Sequence, residues 1–271
     1  MSLDLLLESL LPRYCINTQQ QIEHGADGDV YAGHRNVDKI PVALKIVKVF
    51  TMCKCDTCHG RLPIELCMLL KCQGICNVIE VYDYVVKEDA TYILMEKPEK
   101  CMDMWYLVQD RERLPFSTAR HYFRQLTKAI YMMKQMGVVH GDLKGENVLV
   151  DLDKEDVKII DFGSAHSTAT TDWRQMVGTV YYRPPEAYIS GSTYRWEPVT
   201  VWTLGFMLYD MVHGHDPFCN QREVMQKDLI VGGDVPPSLR DLLRKMLAKK
   251  AADRPSLEQI LKQQWVVETS V

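Results

Sequence analysis

The sequence predicts an α+β fold, in which a small β-rich part is followed by a larger, mainly helical part. Two observations predict it: short runs typical of strands fill the first third, and apolar residues recur at helical spacing in the remainder. Strands are predicted at 14–22, 29–35, 41–49, 78–86 and 91–96. Helices are predicted at 63–72, 117–136, 198–213, 236–248 and 256–265. We therefore predict a single domain over 1–271, with an N-terminal lobe at 14–97, a C-terminal lobe at 98–267 and a ligand-binding cleft between them.

The predicted helices have recognisable starts and apolar faces. The helix at 63–72 has proline in its first turn, and Ser117 is the predicted N-cap of the helix at 117–136. The longer helix carries an apolar stripe formed by Ala119, Tyr122, Phe123, Leu126, Ile130 and Met133. Leucines at helical spacing within residues 3–11 predict a further short amphipathic helix that packs on the domain.

Composition argues against several classes of protein. Of the 271 residues 46% are apolar, which suffices for a large core, yet no stretch reaches the roughly 18 apolar residues of a membrane span. The net charge of −4 gives no reason to expect nucleic acid or an anionic membrane as a partner. Nine cysteines, an odd number, and the lack of a secretory signal pattern favour a reducing compartment. We expect a monomer in the cytoplasm or the nucleus.

The strongest chemical signal is the run His140-Gly-Asp-Leu-Lys-Gly-Glu-Asn147, followed by Asp161-Phe-Gly163. Aspartate, lysine two residues later and asparagine five residues later resemble the catalytic loop of protein kinases. In that resemblance Asp142 accepts the proton of the attacking hydroxyl and Lys144 contacts the γ-phosphate. Asn147 and Asp161 supply oxygen ligands suited to Mg²⁺, and a hairpin between them would bring both to one metal site.

A second set of residues upstream is typical of nucleotide binding. Val42-Ala-Leu-Lys45 resembles the kinase strand that carries the phosphate-binding lysine, and Glu65 is its predicted ion-pair partner. Before it, Gly25, Gly28 and Val30 fit the kinase glycine-rich loop, whose backbone N–H groups approach phosphate oxygens. Glu23 stands in place of the first glycine of that motif and would repel phosphate if it pointed inward.

The segment Gly178 to Glu186 resembles the end of a kinase activation segment. Glu186 occupies the position of the family's Ala-Pro-Glu acid, and Arg254 is its predicted buried ion-pair partner. Thr179, together with Lys144, is the arrangement of serine/threonine rather than tyrosine kinases. This peptide-docking segment also argues against a small-molecule kinase of the same fold.

Beyond these general marks, the chain resembles the PIM family of serine/threonine kinases from about Tyr14 to Trp265. The hinge Leu94-Met-Glu-Lys-Pro-Glu99 and the segments 145–164 and 201–218 carry the resemblance. It implies a bilobal kinase fold, ATP and Mg²⁺ as cofactors, and protein substrates. Because Pro98 lacks an N–H, adenine is expected to rely on the Glu96 carbonyl. The predicted apolar contacts of adenine are Ile22, Val30, Ala43, Met95 and Leu149.

Several positions depart from the family patterns and shape the expected function. Gly141 replaces the arginine that binds an activation-loop phosphate in many kinases, so we expect constitutive activity, as the PIM resemblance also implies. PIM kinases favour basic peptides, and Asp103, Glu146 and Glu99 match their acidic positions. Gly145 and Tyr106 replace acids of that family, which makes the expected preference for upstream basic residues weaker.

The cysteine-rich segment at 53–59 allows two interpretations. Cys55, Cys58 and His59 have spacing suited to a zinc site. The spacing matches no recognised zinc module, and we favour an ordinary cysteine-rich loop over zinc.

One further class of protein is left open, a pseudokinase that uses the same fold as a binding scaffold. Glu23, Asp27 and Gly141 motivate that alternative. The presence of the full catalytic set argues for an enzyme, because positioning and charge stabilisation depend mainly on the lysines and metal ligands.

Overall fold

The computed structural model describes residues 12–25, 28–48, 51–53, 62–169, 182–189, 191 and 193–268. The helix predicted within residues 3–11 lies outside these ranges. The chain divides into two compact units. Unit 1 comprises the residues up to Gly74 and the segment Ile79–Cys101, and unit 2 comprises Ile75–Val78 and the residues from Met102 onward.

Unit 1 is built on an antiparallel sheet of five strands in the order β1-β2-β3-β5-β4. The strands are β1 Tyr14–Gly25, β2 Gly28–Arg35, β3 Pro41–Val47, β4 Val81–Val86 and β5 Thr91–Glu96. Successive side chains of a strand point to opposite faces, so β3 serves two purposes. Its residues Val42, Leu44 and Ile46 join Tyr92 and Leu94 in a buried apolar cluster on one face. Its remaining side chains, among them Lys45, therefore lie on the other face.

Helix α1, Ile64–Lys71, follows Pro63 and is the helix of unit 1 that the proline at 63 predicts. Five consecutive residues from Glu65 to Leu69 are buried. A charged residue among four apolar ones needs a partner of opposite charge when it is buried.

Unit 2 is mainly helical. Its helices are α2 Met104–Asp110, α3 Phe116–Gln135, α4 Trp196–His213, α5 Gln221–Gln226, α6 Pro237–Met246, α7 Leu257–Leu261 and α8 Gln264–Val267. Its strands are β6 Cys101–Asp103, which begins at the last residue of unit 1, β7 Val138–Val139, β8 Val148–Asp151, β9 Asp156–Ile159 and β10 His166–Ser167. Strands β8 and β9 form an antiparallel hairpin, as predicted.

The predicted α+β class is confirmed, whereas several element boundaries were wrong. Helix α3 begins at Phe116 behind Pro115, so Ser117 lies inside the first turn and does not cap the helix. The helix predicted at 256–265 is two helices, because the backbone at Gln263 is extended between α7 and α8. The break allows Trp265 to be fully buried with its ring 6.1 Å from that of Phe123.

The short helices α2 and α5 were missed. Each is capped by the side chain of the preceding residue, Asp103 for α2 and Asn220 for α5. All six residues of the predicted apolar stripe of α3 are buried, which confirms that face. Among the helices in the described part of the chain, none has the length and apolar character needed to traverse a bilayer.

Candidate active site

The ion pair predicted between Lys45 and Glu65 is present in unit 1. The Lys45 Nζ atom donates to Glu65 Oε1 at 2.6 Å, with the two side chains only 9% and 8% exposed. Strand β3 supplies the lysine and helix α1 supplies the glutamate. Burial of both charges fixes the ammonium group in one place, because separating the pair would leave an uncompensated charge in a low-dielectric environment.

Four residues predicted to bind nucleotide share the Lys45 face of the sheet. Directly opposite residues on neighbouring strands point to the same side. Lys45 lies opposite Val30 on β2, and Ala43 lies opposite Met95 on β5. Val30, Ala43 and Met95 therefore form an apolar surface beside the ammonium group, as adenine and ribose would need.

The hinge residue Glu96 is the last residue of β5, and its backbone N–H is already hydrogen-bonded within unit 1. That N–H donates to the Glu80 carbonyl at 2.8 Å, and the Glu80 N–H donates to Glu96 Oε2 at 3.3 Å. The contact of the Glu96 carbonyl with adenine stays a prediction. Leu149, the predicted partner on the other side of adenine, is half-buried on β8 of unit 2, and its part in the pocket also stays a prediction.

At the glycine-rich segment, strands β1 and β2 are antiparallel and remain paired as far as Gly25 and Gly28. Gly28 has a φ of 130°, and a Cβ atom there would lie 2.4 Å from the Ile46 carbonyl oxygen. Only glycine fits this close approach of two backbones. Ile22 lies in a register shift of β1 and is 49% exposed.

The catalytic-loop residues converge in unit 2. The Lys144 Nζ atom lies 3.2 Å from Asp142 Oδ2. The buried Asn147 donates from Nδ2 to the Asp142 carbonyl at 2.8 Å and lies 3.5 Å from Asp142 Oδ2. Three predicted catalytic residues are thus brought into mutual contact, and the Asn147 bond to the backbone holds the loop in shape.

Charge around Lys144 keeps it protonated. Burial favours the neutral amine and works to lower the pKa of Lys144, but the Asp142 carboxylate outweighs burial, with help from Glu146 and Asp161. The pKa of Lys144 is therefore raised above its ordinary value. A permanently charged ammonium group is what contact with phosphate oxygens requires.

Asn147 and Asp161 lie at the same end of the β8–β9 hairpin. Val148 pairs with Ile159, and beyond that pair the Ile160 N–H donates to the Asn147 carbonyl at 3.0 Å. Asp161 has a φ of 59°, and its Oδ1 accepts from the Gly163 N–H at 3.3 Å.

The donor set at this end fits Mg²⁺. With Nδ2 of Asn147 engaged, its Oδ1 is the atom suited to a cation, and the Asp161 carboxylate supplies negative charge and oxygen ligands. Among the described residues there is no group of three or more histidine, cysteine or acidic side chains arranged for a metal. Cys55, Cys58 and His59 lie outside the described residues. The zinc alternative at these residues therefore stays a hypothesis.

These arrangements agree with comparisons to known proteins. A family model for the protein kinase domain matches residues 16–266. The chain is a protein kinase. It is 33% identical over 258 residues to the serine/threonine-protein kinase pim-2 of Danio rerio, covering 91% of this chain and 83% of that protein. It is 32% identical over 253 residues to the serine/threonine-protein kinase prk-2 of Caenorhabditis elegans, covering 91% of this chain and 57% of that protein.

A third relative is also a serine/threonine-protein kinase. The kinase is 30% identical over 260 residues to the PAS domain-containing serine/threonine-protein kinase of Mus musculus, covering 94% of this chain but 19% of that protein. The predicted kinase fold and enzyme class are confirmed: the chain is an ATP-dependent protein serine/threonine kinase. A protein kinase domain also implies ATP and Mg²⁺ in general.

The residues just before Asp142 pack the catalytic loop onto the segment that follows Asp161. The buried His140 contacts the Ile160 carbonyl through Nε2 at 2.9 Å and the edge of Phe162 at 5.1 Å between ring centroids. Burial lowers the pKa of His140, although the Ile160 carbonyl opposes this. A neutral imidazole therefore joins the loop to the Phe162 segment in the kinase.

Gly141 of the kinase is fixed by geometry. Its φ is 85°, and a Cβ atom would lie 2.1 Å from the Ser164 carbonyl oxygen. No other residue fits without movement of one of the two backbones. Glycine, and not arginine, therefore suits this position because the backbones at residues 141 and 164 are in contact.

The ion pair predicted between Glu186 and Arg254 is confirmed. Two parallel bonds of 2.7 Å join the guanidinium group to Oε1 and Oε2 of Glu186. The Arg254 side chain is fully buried, donates also to the Pro198 and Ala248 carbonyls, and lies 4.9 Å over the Trp202 ring. Thr179 lies outside the described residues.

Asp210, Asp216 and Glu146 form an acidic cluster in the kinase, of which only Glu146 was predicted from the sequence. Asp210, on the apolar helix α4, is 92% buried, and within the described parts of the chain its carboxylate makes no hydrogen bond or ion pair. Burial raises the pKa of Asp210 to about 7, with Asp216 and Glu146 adding to the effect and His215 opposing it. Asp210 could have been found as the single acid in the run 199–212.

The three acids predicted to recognise basic peptides, Asp103, Glu99 and Glu146, are less buried than Asp210. The Asp103 carboxylate accepts from the Tyr106 N–H at 2.8 Å and caps α2, while Glu99 is exposed. Glu146 is exposed as well, and its charge raises the pKa of both Asp210 and Asp216. Of the predicted acids, Glu146 is thus the one that belongs to the cluster around Asp210.

Proposed function

We propose that the kinase is PIM-like: it phosphorylates serine or threonine in protein segments that carry arginine or lysine upstream of the target, and it does so without phosphorylation of its own chain. The observation that carries the proposal is the buried Asp210 carboxylate with two further acids beside it. The chain's 33% identity to pim-2 of Danio rerio is in keeping with it.

The proposed reaction divides the work among few residues. Asp142 orients the substrate hydroxyl and accepts its proton, while Lys144 and Lys45 hold phosphate oxygens through their positive charges. Asn147 and Asp161 would hold Mg²⁺, which neutralises charge on the phosphate oxygens when bound. Because phosphoryl transfer needs little covalent help, positioning and electrostatic stabilisation account for most of the rate.

The preference for basic substrates follows from unbalanced charge. Asp210 is a buried acid without a cationic partner among the described residues, next to Asp216 and Glu146. A buried carboxylate is costly unless a cation or several donors accompany it. An arginine side chain from the substrate would bring both charge and a planar set of donors, which match a carboxylate better than an ammonium group does.

The preference for arginine is expected to depend on pH. The pKa of Asp210 is raised to about 7, so below that pH the carboxylate is mostly protonated and attracts a cation less. The KM for a peptide with upstream arginine should therefore rise by up to roughly tenfold between about pH 8 and about pH 6, relative to the matched arginine-free peptide. Steady-state kinetics of both peptides measures this ratio.

The Asp210→Asn variant serves as the control for this pH effect. It should show a high KM for the arginine peptide at every pH, because the titrating group is gone. A peptide array without any preference for upstream arginine or lysine would contradict the proposed specificity. An unchanged pH dependence in Asp210→Asn would assign the titration to another group.

Independence from phosphorylation rests on the close contact at Gly141. A phosphate on Ser164, Ser167, Thr168, Thr170 or Thr171 would lack the arginine that anchors it in many kinases. Phosphatase-treated protein, checked by mass spectrometry, is expected to keep its activity within about twofold. The variant with alanine at all five positions should behave alike. A loss of more than roughly tenfold in both preparations would show that phosphorylation controls activity.

A further inference from the structure

A groove on unit 2 is lined by residues that were assigned no part in the candidate active site. It has a volume of about 450 Å³ and runs along one side of α3 toward the C-terminal helices. Its lining residues are Asn77, His121, Arg124, Gln125, Lys128, Leu261, Val266 and Val267. All of them belong to unit 2.

The polar groups of Gln125 on the floor of the groove are all hydrogen-bonded. Oε1 of Gln125 accepts from Asn77 Nδ2 at 2.8 Å and from the Val157 N–H at 2.9 Å. Nε2 of Gln125 donates to the Glu155 carbonyl at 3.0 Å and lies 2.8 Å from Nε2 of His121. The amide therefore fixes the shape of the groove and is not available to a ligand.

Two cations on the wall of the groove lack counter-charges. Arg124 and Lys128 are exposed, and in the described ranges neither forms an ion pair. Their spacing of four residues places them one turn apart on the same face of α3, about 6 Å between Cβ atoms. The two basic residues of α3 outside the groove differ: Arg120 pairs with Glu268 at 2.9 Å and Lys134 with Glu197 at 2.8 Å.

The opposite wall is apolar. Val266 is buried, Leu261 is half-buried, and Val267 leaves 52% of its surface exposed beside the cations. Glu258, near the start of α7, is paired with Lys262 at 2.8 Å. The groove thus combines two cations that form no ion pair within the described residues with an exposed aliphatic surface. Glu258 and Glu268 are each already paired with another cation, whereas Glu155, whose carbonyl contacts His121 and Gln125, is an exposed acid beside the groove floor.

We infer that this groove docks an acidic segment of a partner protein. Two neighbouring carboxylates of the segment meet Arg124 and Lys128, and an aliphatic side chain of the segment covers Val267. Charge complementarity selects this occupant, since neither the ammonium nor the guanidinium group forms an ion pair within the described ranges, and the exposed Val267 favours a ligand that also carries an aliphatic side chain.

A membrane surface fits the groove less well than a peptide. Anionic bilayers attract clusters of several basic residues, whereas here there are two, flanked by Glu258 and Glu268 in a chain of net charge −4. The inference also does not depend on the preferred substrate of the kinase, because the groove residues take no part in phosphoryl transfer.

Fluorescence anisotropy with a labelled twelve-residue probe tests the inference. The probe carries Glu-Asp-Glu followed by Leu-Leu, and a second probe has lysine in place of the three acids. Wild-type kinase is expected to bind the acidic probe with a Kd below about 1 mM and with affinity that falls as salt rises, and to ignore the basic probe. The double variant Arg124→Glu with Lys128→Glu should lose at least roughly tenfold in affinity.

The control is Arg244→Glu with Lys250→Glu, which makes the same change of charge at exposed positions away from the groove. It should bind the acidic probe within about twofold of wild type. Both variants should phosphorylate a short peptide at the wild-type rate, which verifies their fold. Equal affinity in the two double variants, or no binding up to about 1 mM, would overturn the inference. So would binding to phosphatidylserine vesicles in place of the acidic probe.

Discussion

Replacing Asp142 by asparagine is expected to lower kcat by about 10² to 10⁴ without unfolding the kinase. The amide cannot accept the hydroxyl proton, whereas the bond from Asn147 Nδ2 to the residue 142 carbonyl is a backbone contact and survives the change. Radiolabelled ATP with Mg²⁺ and a mixed basic peptide pool measures the rate, and a thermal melt measures the fold. Asp241→Asn, an exposed acid on α6, is the matched control.

Two outcomes would contradict this prediction. Activity of Asp142→Asn within about tenfold of wild type would mean that another group accepts the proton. Wild-type protein that binds ATP but transfers no phosphate would favour the pseudokinase alternative, in which the same residues serve binding alone.

Replacing Glu186 by glutamine is expected to lower the free energy of unfolding by about 3 kcal/mol. The Arg254 side chain is fully buried, so the neutral amide would leave its charge uncompensated. For a chain of this size we expect a fall in Tm of roughly 6 to 12 °C, measurable by calorimetry. Glu258→Gln is the control, because the pair between Glu258 and Lys262 is exposed and should hardly affect Tm.

A second variant separates charge from packing at this site. Leucine at both 186 and 254 removes the two charges together and should recover much of the lost stability. If Glu186→Gln melts at the temperature of Glu258→Gln, the buried pair contributes little and this prediction fails.

The sequence was most informative where chemistry restricts the residue type. Lys45, Glu65, Asp142 and Asn147 could be found because few side chains can hold phosphate, accept a proton or bind Mg²⁺, and their spacing along the chain is fixed by strands and loops. The pairing of Glu186 with Arg254 was predicted from the resemblance of the segment Gly178 to Glu186 to the end of a kinase activation segment. Periodicity located the long helices, since their buried faces repeat every three to four residues.

Sequence reasoning failed where a neighbouring residue or a tertiary contact overrides a local pattern. Ser117 is a good N-cap in isolation, but Pro115 starts α3 earlier with its fixed φ. The break at Gln263 depends on the burial of Trp265, which periodicity does not reveal. Asp210 was overlooked because its surroundings depend on the fold: Glu146, which is distant in sequence, lies close enough to affect its pKa, and the carboxylate is buried although it is the single acid of an apolar run.

The contact between residues 141 and 164 has an evolutionary consequence. Arginine cannot be introduced at 141 of the present kinase by that one substitution alone, since its Cβ atom and the Ser164 carbonyl would occupy the same space. Regaining a phosphate-controlled switch would require at least two coordinated changes, one on each segment. Descendants of this chain should therefore keep glycine at 141 for as long as the backbones at 141 and 164 stay in contact.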